Sequence, residues 1–216
     1  MLYSTSLQGR AYFTSTFPSR TRWKTVLLLL LLLSASAQAA NEQADKPFAY
    51  YRLDPVANKR ILPHSSPKTL GEAGGKLTLA GCRDEYESAS FAVFAPQDLK
   101  NLQLEIRDLR SDGHMIPKSS FDPYVVKCWY QAGRDVMFHD GVKRLVPELL
   151  LKDDDLVRVD SENETNSVRS TAEDGSTRYL SASGKDPKAL EELRPVDAAT
   201  LQPVTIPAGT MKQFWM

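Results

Sequence analysis

From residue 48 onward, apolar side chains recur at every second position in short runs, and polar residues fill the gaps. A repeat of two is the signature of β-strands half-buried on one face. "FAYYRL" (48–53) opens the series, and "KLTLAG" (76–81) continues it with Leu77 and Leu79 on one face. "ESASFAVFA" (87–95) places Ala89, Phe91, Val93 and Ala95 toward a core, and Pro96 ends it. "NLQLEIRDL" (101–109) alternates most regularly, with Leu102, Leu104 and Ile106 inward and Gln103, Glu105 and Arg107 toward water. One buried and one wet face is the mark of antiparallel sheet.

"SDGHMIP" reads as a turn, with Gly113 set for a positive φ. "DPYVVKCWYQ" is a strand rich in β-branched and aromatic residues. Its alternation gives two faces: Tyr124, Val126, Cys128 and Tyr130 as the core side, and Val125, Lys127, Trp129 and Gln131 as the more accessible side. "LVPELLLKDD" is a short apolar segment ending in acids. Residues 160–186 are polar throughout and read as a long surface loop, followed by one short helix in "DPKALEEL" with Asp186 as its N-cap. "QPVTIPAGTMKQFWM" gives a strand, a Pro-Ala-Gly turn and a last strand from about Lys212. Short strands at close spacing, with no strand–helix alternation, predict an all-β antiparallel β-sandwich, Ig-like or jelly-roll-like.

The N-terminus has a different pattern. Arg20, Arg22 and Lys24 precede Val26 and seven consecutive leucines, and the small residues Ala37 and Ala39 follow. This is the layout of a cleaved signal peptide over 1–39, with 40–47 a linker and 48–216 the sandwich. The apolar run is shorter than the roughly 20 residues a spanning helix needs. The chain is therefore expected to be exported, periplasmic or extracellular, without stable membrane insertion after cleavage. The 27 basic and 27 acidic residues balance. Cleavage would remove Arg10, Arg20, Arg22 and Lys24 and no acid, leaving the remainder mildly acidic. No electrostatic argument for nucleic acid arises.

Candidate chemistry is sparse. Asp84, Glu85 and Glu87 cluster at a strand entrance, where neighbours point to opposite faces and do not flank a substrate. Asp153, Asp154, Asp155 and Asp160 are acidic enough for calcium but lack its loop spacing, and a solvated acidic turn is the plainer reading. His64, His114 and His139 are scattered. There is no nucleophile elbow, P-loop or dinucleotide motif, so no catalytic residue, metal or cofactor is assigned. Export permits a disulfide between Cys82 and Cys128, while a mid-strand Cys128 suits a free buried thiol better. "NET" at Asn163 matches a glycosylation acceptor. Trp129, Tyr130 and Trp215 are the candidate sugar-stacking aromatics, with Trp129 first among them.

Taken in order, "AGCRDEYESASFAVFAPQDLKNLQLEIRDL", "VVKCWYQAG", "LVPELLLKDD" and "TIPAGTMKQFWM" resemble the N-terminal β-sandwich of exported, family-123-like glycoside hydrolases. The resemblance spans 76–216 with a gap over the polar insertion. It implies a non-catalytic accessory domain preceding a catalytic β/α barrel, with glycans and that downstream domain as partners. Such a barrel needs about 250 residues, and no position here matches its catalytic acids. The apolar ending "KQFWM" then reads as a strand whose later partners are missing, so the sandwich is expected to be truncated at its C-terminal end. The alternative is a stand-alone carbohydrate-binding module with Trp129 on its platform. A third reading, a small hydrolase, would rest on Glu85 or Glu87.

Overall fold

The computed structural model describes residues 47–57, 59–82, 84–134, 139–182 and 191–216. The expected signal peptide and linker over 1–46 lie outside these residues, as does most of the expected helix at 186–193. Twelve strands are seen among the described residues. They are β1 (Ala49–Leu53), β2 (Ser90–Ala95), β3 (Leu99–Leu102), β4 (Leu109–Ser111), β5 (His114–Ile116) and β6 (Tyr124–Arg134). β7 (His139–Leu151), β8 (Val157–Asp160), β9 (Thr165–Thr171), β10 (Thr177–Ser181), β11 (Val204–Ile206) and β12 (Thr210–Trp215) follow. All named pairings are antiparallel.

The main layer is a five-stranded sheet in the order β1-β2-β12-β6-β7. Its inner face meets a second layer built from the three-stranded sheet β10-β9-β8 and the ribbon β11-β3. Val93, Ala95, Val125, Leu151 and Phe214 from the first layer pack on Leu156, Val157, Val168, Val204 and Ile206 from the second. The expected inward face of β2 holds: Val93 and Ala95 belong to this core, and Ala89 is buried. Opposite partners Phe91 and Phe214 stack with ring centroids 5.2 Å apart, a cross-strand pair that fixes register as well as burying area. The sheet's other face is also covered, by Ile61, Leu53 and Leu70 over Ala92, Phe94 and Met211. Ile61 and Leu70 come from the long connection after β1.

Several expectations need correction. β12 does not lack neighbours. It lies in the middle of the sheet, paired with β2 along its length and with β6 at Gln213–Trp215. The last residue continues the ladder, since Met216 exchanges backbone hydrogen bonds with Ala89. It begins at Thr210, directly after Gly209 at φ 71°, a left-handed conformation that glycine adopts freely.

The polar stretch read as a loop over 160–186 carries β9 and β10 and the end of β8. In β9 the inward positions are Asn166, Val168 and Ser170, alternating with half-buried neighbours. The period of two is present, but two of its three buried side chains are polar. Asn166 Nδ2 donates to the Tyr130 carbonyl at 2.7 Å and its Oδ1 accepts from Tyr130 N at 2.8 Å. Ser170 Oγ donates to the Glu192 carbonyl and accepts from Arg194 N. Burial without loss of hydrogen bonding makes these positions tolerable.

"KLTLAG" forms no strand, and Leu77 is exposed. In "NLQLEIRDL" only the ends are strands, although exposure does alternate along it as expected. Residues 103–108 take part in no ladder among the described residues. Asp112 and Gly113 at φ 43° and 82° make the two-residue turn between β4 and β5, the twin positive-φ pattern of a tight hairpin.

Candidate functional site

A groove of about 310 Å³ lies on the outer face of the main sheet. Its floor is Val126 of β6, Leu150 and Pro147 of β7, and Gln213 and Trp215 of β12; Leu53, Asp54, Pro55, Ala57, Lys59 and Ile61 wall one side. It continues into a shallower hollow of about 360 Å³ that adds Arg60, Gln131 and Val146. The two share Ala57, Lys59, Pro147 and Glu148. Among the described residues β7 is an edge strand, and Leu150 on the groove floor stays 45% exposed.

Pro147 and Glu148 sit in a local irregularity of the β6–β7 ladder. Lys127 pairs with Leu149 and Cys128 with Pro147, so Glu148 is the extra residue of a β-bulge. Bulges re-aim side chains, and proline is tolerated at such places because no ladder hydrogen is required of it. Glu148 Oε2 accepts from Trp129 Nε1 at 2.8 Å and also from Gln131 Nε2. Gln213 Nε2 donates to the buried Ser90 Oγ at 2.9 Å.

Of the aromatics expected to stack on sugar, Trp215 lines this groove. Trp129 is half-buried, packs against the inner core and reaches the groove only through its bond to Glu148. The face assignment of β6 is therefore revised. Val125 and Trp129 turn to the main core, while Val126 faces the groove and the Cys128 thiol points to the Ile61 carbonyl. Both faces of this strand are covered, so alternation alone did not choose between them. Tyr130 is held by its backbone to Asn166.

The acidic run is a solvated turn only in part: Asp155 and Asp160 are exposed, and Asp160 caps the turn before β9, whereas Asp153 and Asp154 are drawn into ion pairs. Asp154 sits between Lys212, whose Nζ is 2.9 Å from both carboxylate oxygens, and Lys127, whose Nζ is 3.2 Å from Oδ1. All three side chains are at most 17% exposed. Burial pushes the Asp154 carboxyl upward, but the two ammonium groups outweigh it and hold the acid below its ordinary value. Burial shifts Lys127 downward against the pull of Asp154. Asp153 pairs with Arg169 at 2.7 Å. These acids are committed to lysine and arginine, and among the described residues no group of three His, Cys, Asp or Glu is placed to hold a metal.

Asp84, Glu85 and Glu87 are exposed and lie outside the groove, and Glu85 Oε2 caps the Cys82 amide at 2.8 Å. Asn163 is exposed in the β8–β9 turn, where its amide nitrogen donates to Asp160. Cys82 and Cys128 are both free thiols. Burial raises the Cys128 thiol to about 11.

The sequence reading missed Glu148, Gln213 and Lys59. A proline inside an apolar strand, in "LVPELL", was the available signal of a bulge and hence of a redirected neighbour. No family model, no curated protein and no solved structure matches this chain.

Proposed function

We propose that this chain is a non-catalytic β-sandwich domain that binds glycan along the groove over β6, β7 and β12, as an accessory domain of an exported glycoside hydrolase. The observation that carries the reading is Trp215 lining an open groove together with Glu148, Gln213 and Lys59. An indole offers an apolar face to the C–H face of a sugar ring. Polar groups beside it fix the hydroxyls, as binding clefts do with a few placed polar atoms. The resemblance of 76–216 to the N-terminal sandwich of family-123-like glycoside hydrolases supports the accessory role. The signal-peptide pattern of 1–39 supports export. A stand-alone carbohydrate-binding module makes the same use of the groove and differs in what lies beside the domain.

Titration of the purified protein with oligosaccharides, followed by isothermal calorimetry and tryptophan fluorescence, tests the reading. Binding is expected in the wild type, and Trp215→Ala is expected to weaken it at least tenfold. Unchanged affinity in that variant would place the glycan elsewhere, and no response across the panel would sink the proposal.

A further inference from the structure

The hydrogen-bond inventory of the groove narrows its ligand, on the reading just given. Glu148 spends one oxygen on the protein, because both Trp129 Nε1 and Gln131 Nε2 donate to Oε2. Among the described residues no donor reaches Oε1. The carboxylate is thus oriented by two donors at one oxygen and offers the other. Gln213 is treated the opposite way, with the same result. Its nitrogen is tied to Ser90 Oγ, and that hydroxyl donates onward to the Phe214 carbonyl at 2.9 Å. Ser90 is fully buried, so this anchor is fixed. The Gln213 carbonyl oxygen takes no donor from the described residues. On the wall, Asp54 Oδ1 accepts from Val56 N at 3.0 Å and Oδ2 has no donor among the described residues. Lys59 turns its ammonium to the Thr69 carbonyl.

Three anchored side chains along one groove therefore present acceptors. An oxygen with unused lone pairs is complemented by a ligand that brings hydrogens, and repelled by one that brings carboxylate or sulfate oxygens. We infer that the groove selects neutral glycan segments with free neighbouring hydroxyls over acidic ones, and that Trp129 is a positioning residue acting through Glu148 while Trp215 makes the ring contact. Lys59 lines both the groove and the adjoining hollow, and Arg60 lines the hollow. They are the groups through which an acidic sugar would bind instead.

The test is calorimetry with two sets of oligosaccharides of equal length. Cello-, xylo- and manno-oligosaccharides form the neutral set; oligogalacturonate and chondroitin sulfate fragments form the acidic set. At least one neutral sugar is expected to bind tenfold or more tightly than any acidic one. Glu148→Gln turns the presented atom into a donor and is expected to weaken neutral binding about tenfold, the range for a hydrogen bond to a charged group. Trp129→Phe keeps an aromatic ring, smaller than the indole, and removes the N–H, and a several-fold loss is expected. The double variant should be no weaker than Glu148→Gln alone, a non-additivity that a merely structural role for Trp129 would not produce. Gln131→Ala removes the other orienting donor from a half-buried position and should move affinity the same way, which covers the case of a poorly folding Trp129→Phe. Tighter binding of acidic sugars, or additive losses, or no loss in Glu148→Gln, would overturn the inference while leaving the glycan reading intact. Binding of neither set would overturn both.

Discussion

At the scale of single residues the strongest electrostatic commitment is Asp154 between Lys127 and Lys212. The cluster carries one more positive than negative charge in a nearly dry place, so its members are not equivalent. Asp154→Asn strands two ammonium groups and is expected to cost about 3–5 kcal/mol, as removal of one partner from a buried pair does. Lys127→Met instead leaves a one-to-one pair and fills the same space, and is expected to change stability by no more than about 1 kcal/mol. Urea denaturation of the two variants checks this asymmetry. The sign of the pH dependence follows from the depressed Asp154. A carboxyl lowered in the folded state contributes stability that is complete above its unfolded value, near 3.9. That contribution is lost as pH falls through the folded value. Acid denaturation of the wild type should therefore be steeper than that of Asp154→Asn below about pH 4. The thiols offer a second check. Cys82 is exposed, whereas Cys128 is half-buried with its thiol raised by burial to about 11. A thiol-disulfide reagent at neutral pH should titrate one cysteine in the native protein and two in denaturant.

Among the elements, β9 shows how a strand can be invisible to a hydrophobic pattern. Asn166 faces inward, donates its amide hydrogen to the Tyr130 carbonyl and accepts the Tyr130 N–H at Oδ1, so a side chain does the work of a ladder between two layers. Asn166→Ala leaves a buried N–H and C=O without partners and is expected to cost about 2 kcal/mol or more, measured by thermal or urea unfolding. Asn166→Asp keeps the acceptor and loses the donor, and should recover only part of that loss. The contrast with β2 is instructive. Val93 and Ala95 were legible because apolar side chains alone fill those positions. β6 was half legible: its existence was plain, and its orientation was not, since both faces are buried and either alternation is apolar enough. The alternation of exposure through Leu104 and Ile106 was legible, but pairing depends on what lies alongside, and periodicity carries no information about neighbours.

For the whole molecule the decisive element is β12. It holds two halves of the main sheet together, with β1 and β2 on one side and β6 and β7 on the other. Deleting 210–216 removes Met211 and Phe214 from the two cores and exposes a strand edge on each half. Loss of cooperative unfolding and aggregation on expression are expected, and size-exclusion chromatography with circular dichroism would show it. The candidate site shares this dependence, since Gln213 and Trp215 arrive on the same strand. That is why the site was only partly legible: Trp215 could be named from sequence, but its neighbours come from β6, β7 and the connection after β1, brought together by the order of strands in the sheet.

The same order has a temporal side. β1, β2, β6 and β7 are made well before residues 210–215 leave the ribosome, yet their sheet has a vacant central lane until then. The hairpin of β6 and β7 can form early, being local in sequence, whereas β2, paired with β1 on one edge, must wait for its second partner more than a hundred residues downstream. Pairings so distant in sequence form slowly. The sheet stays open, without a finished core, until residues 210–215 emerge, and closes in a single late step.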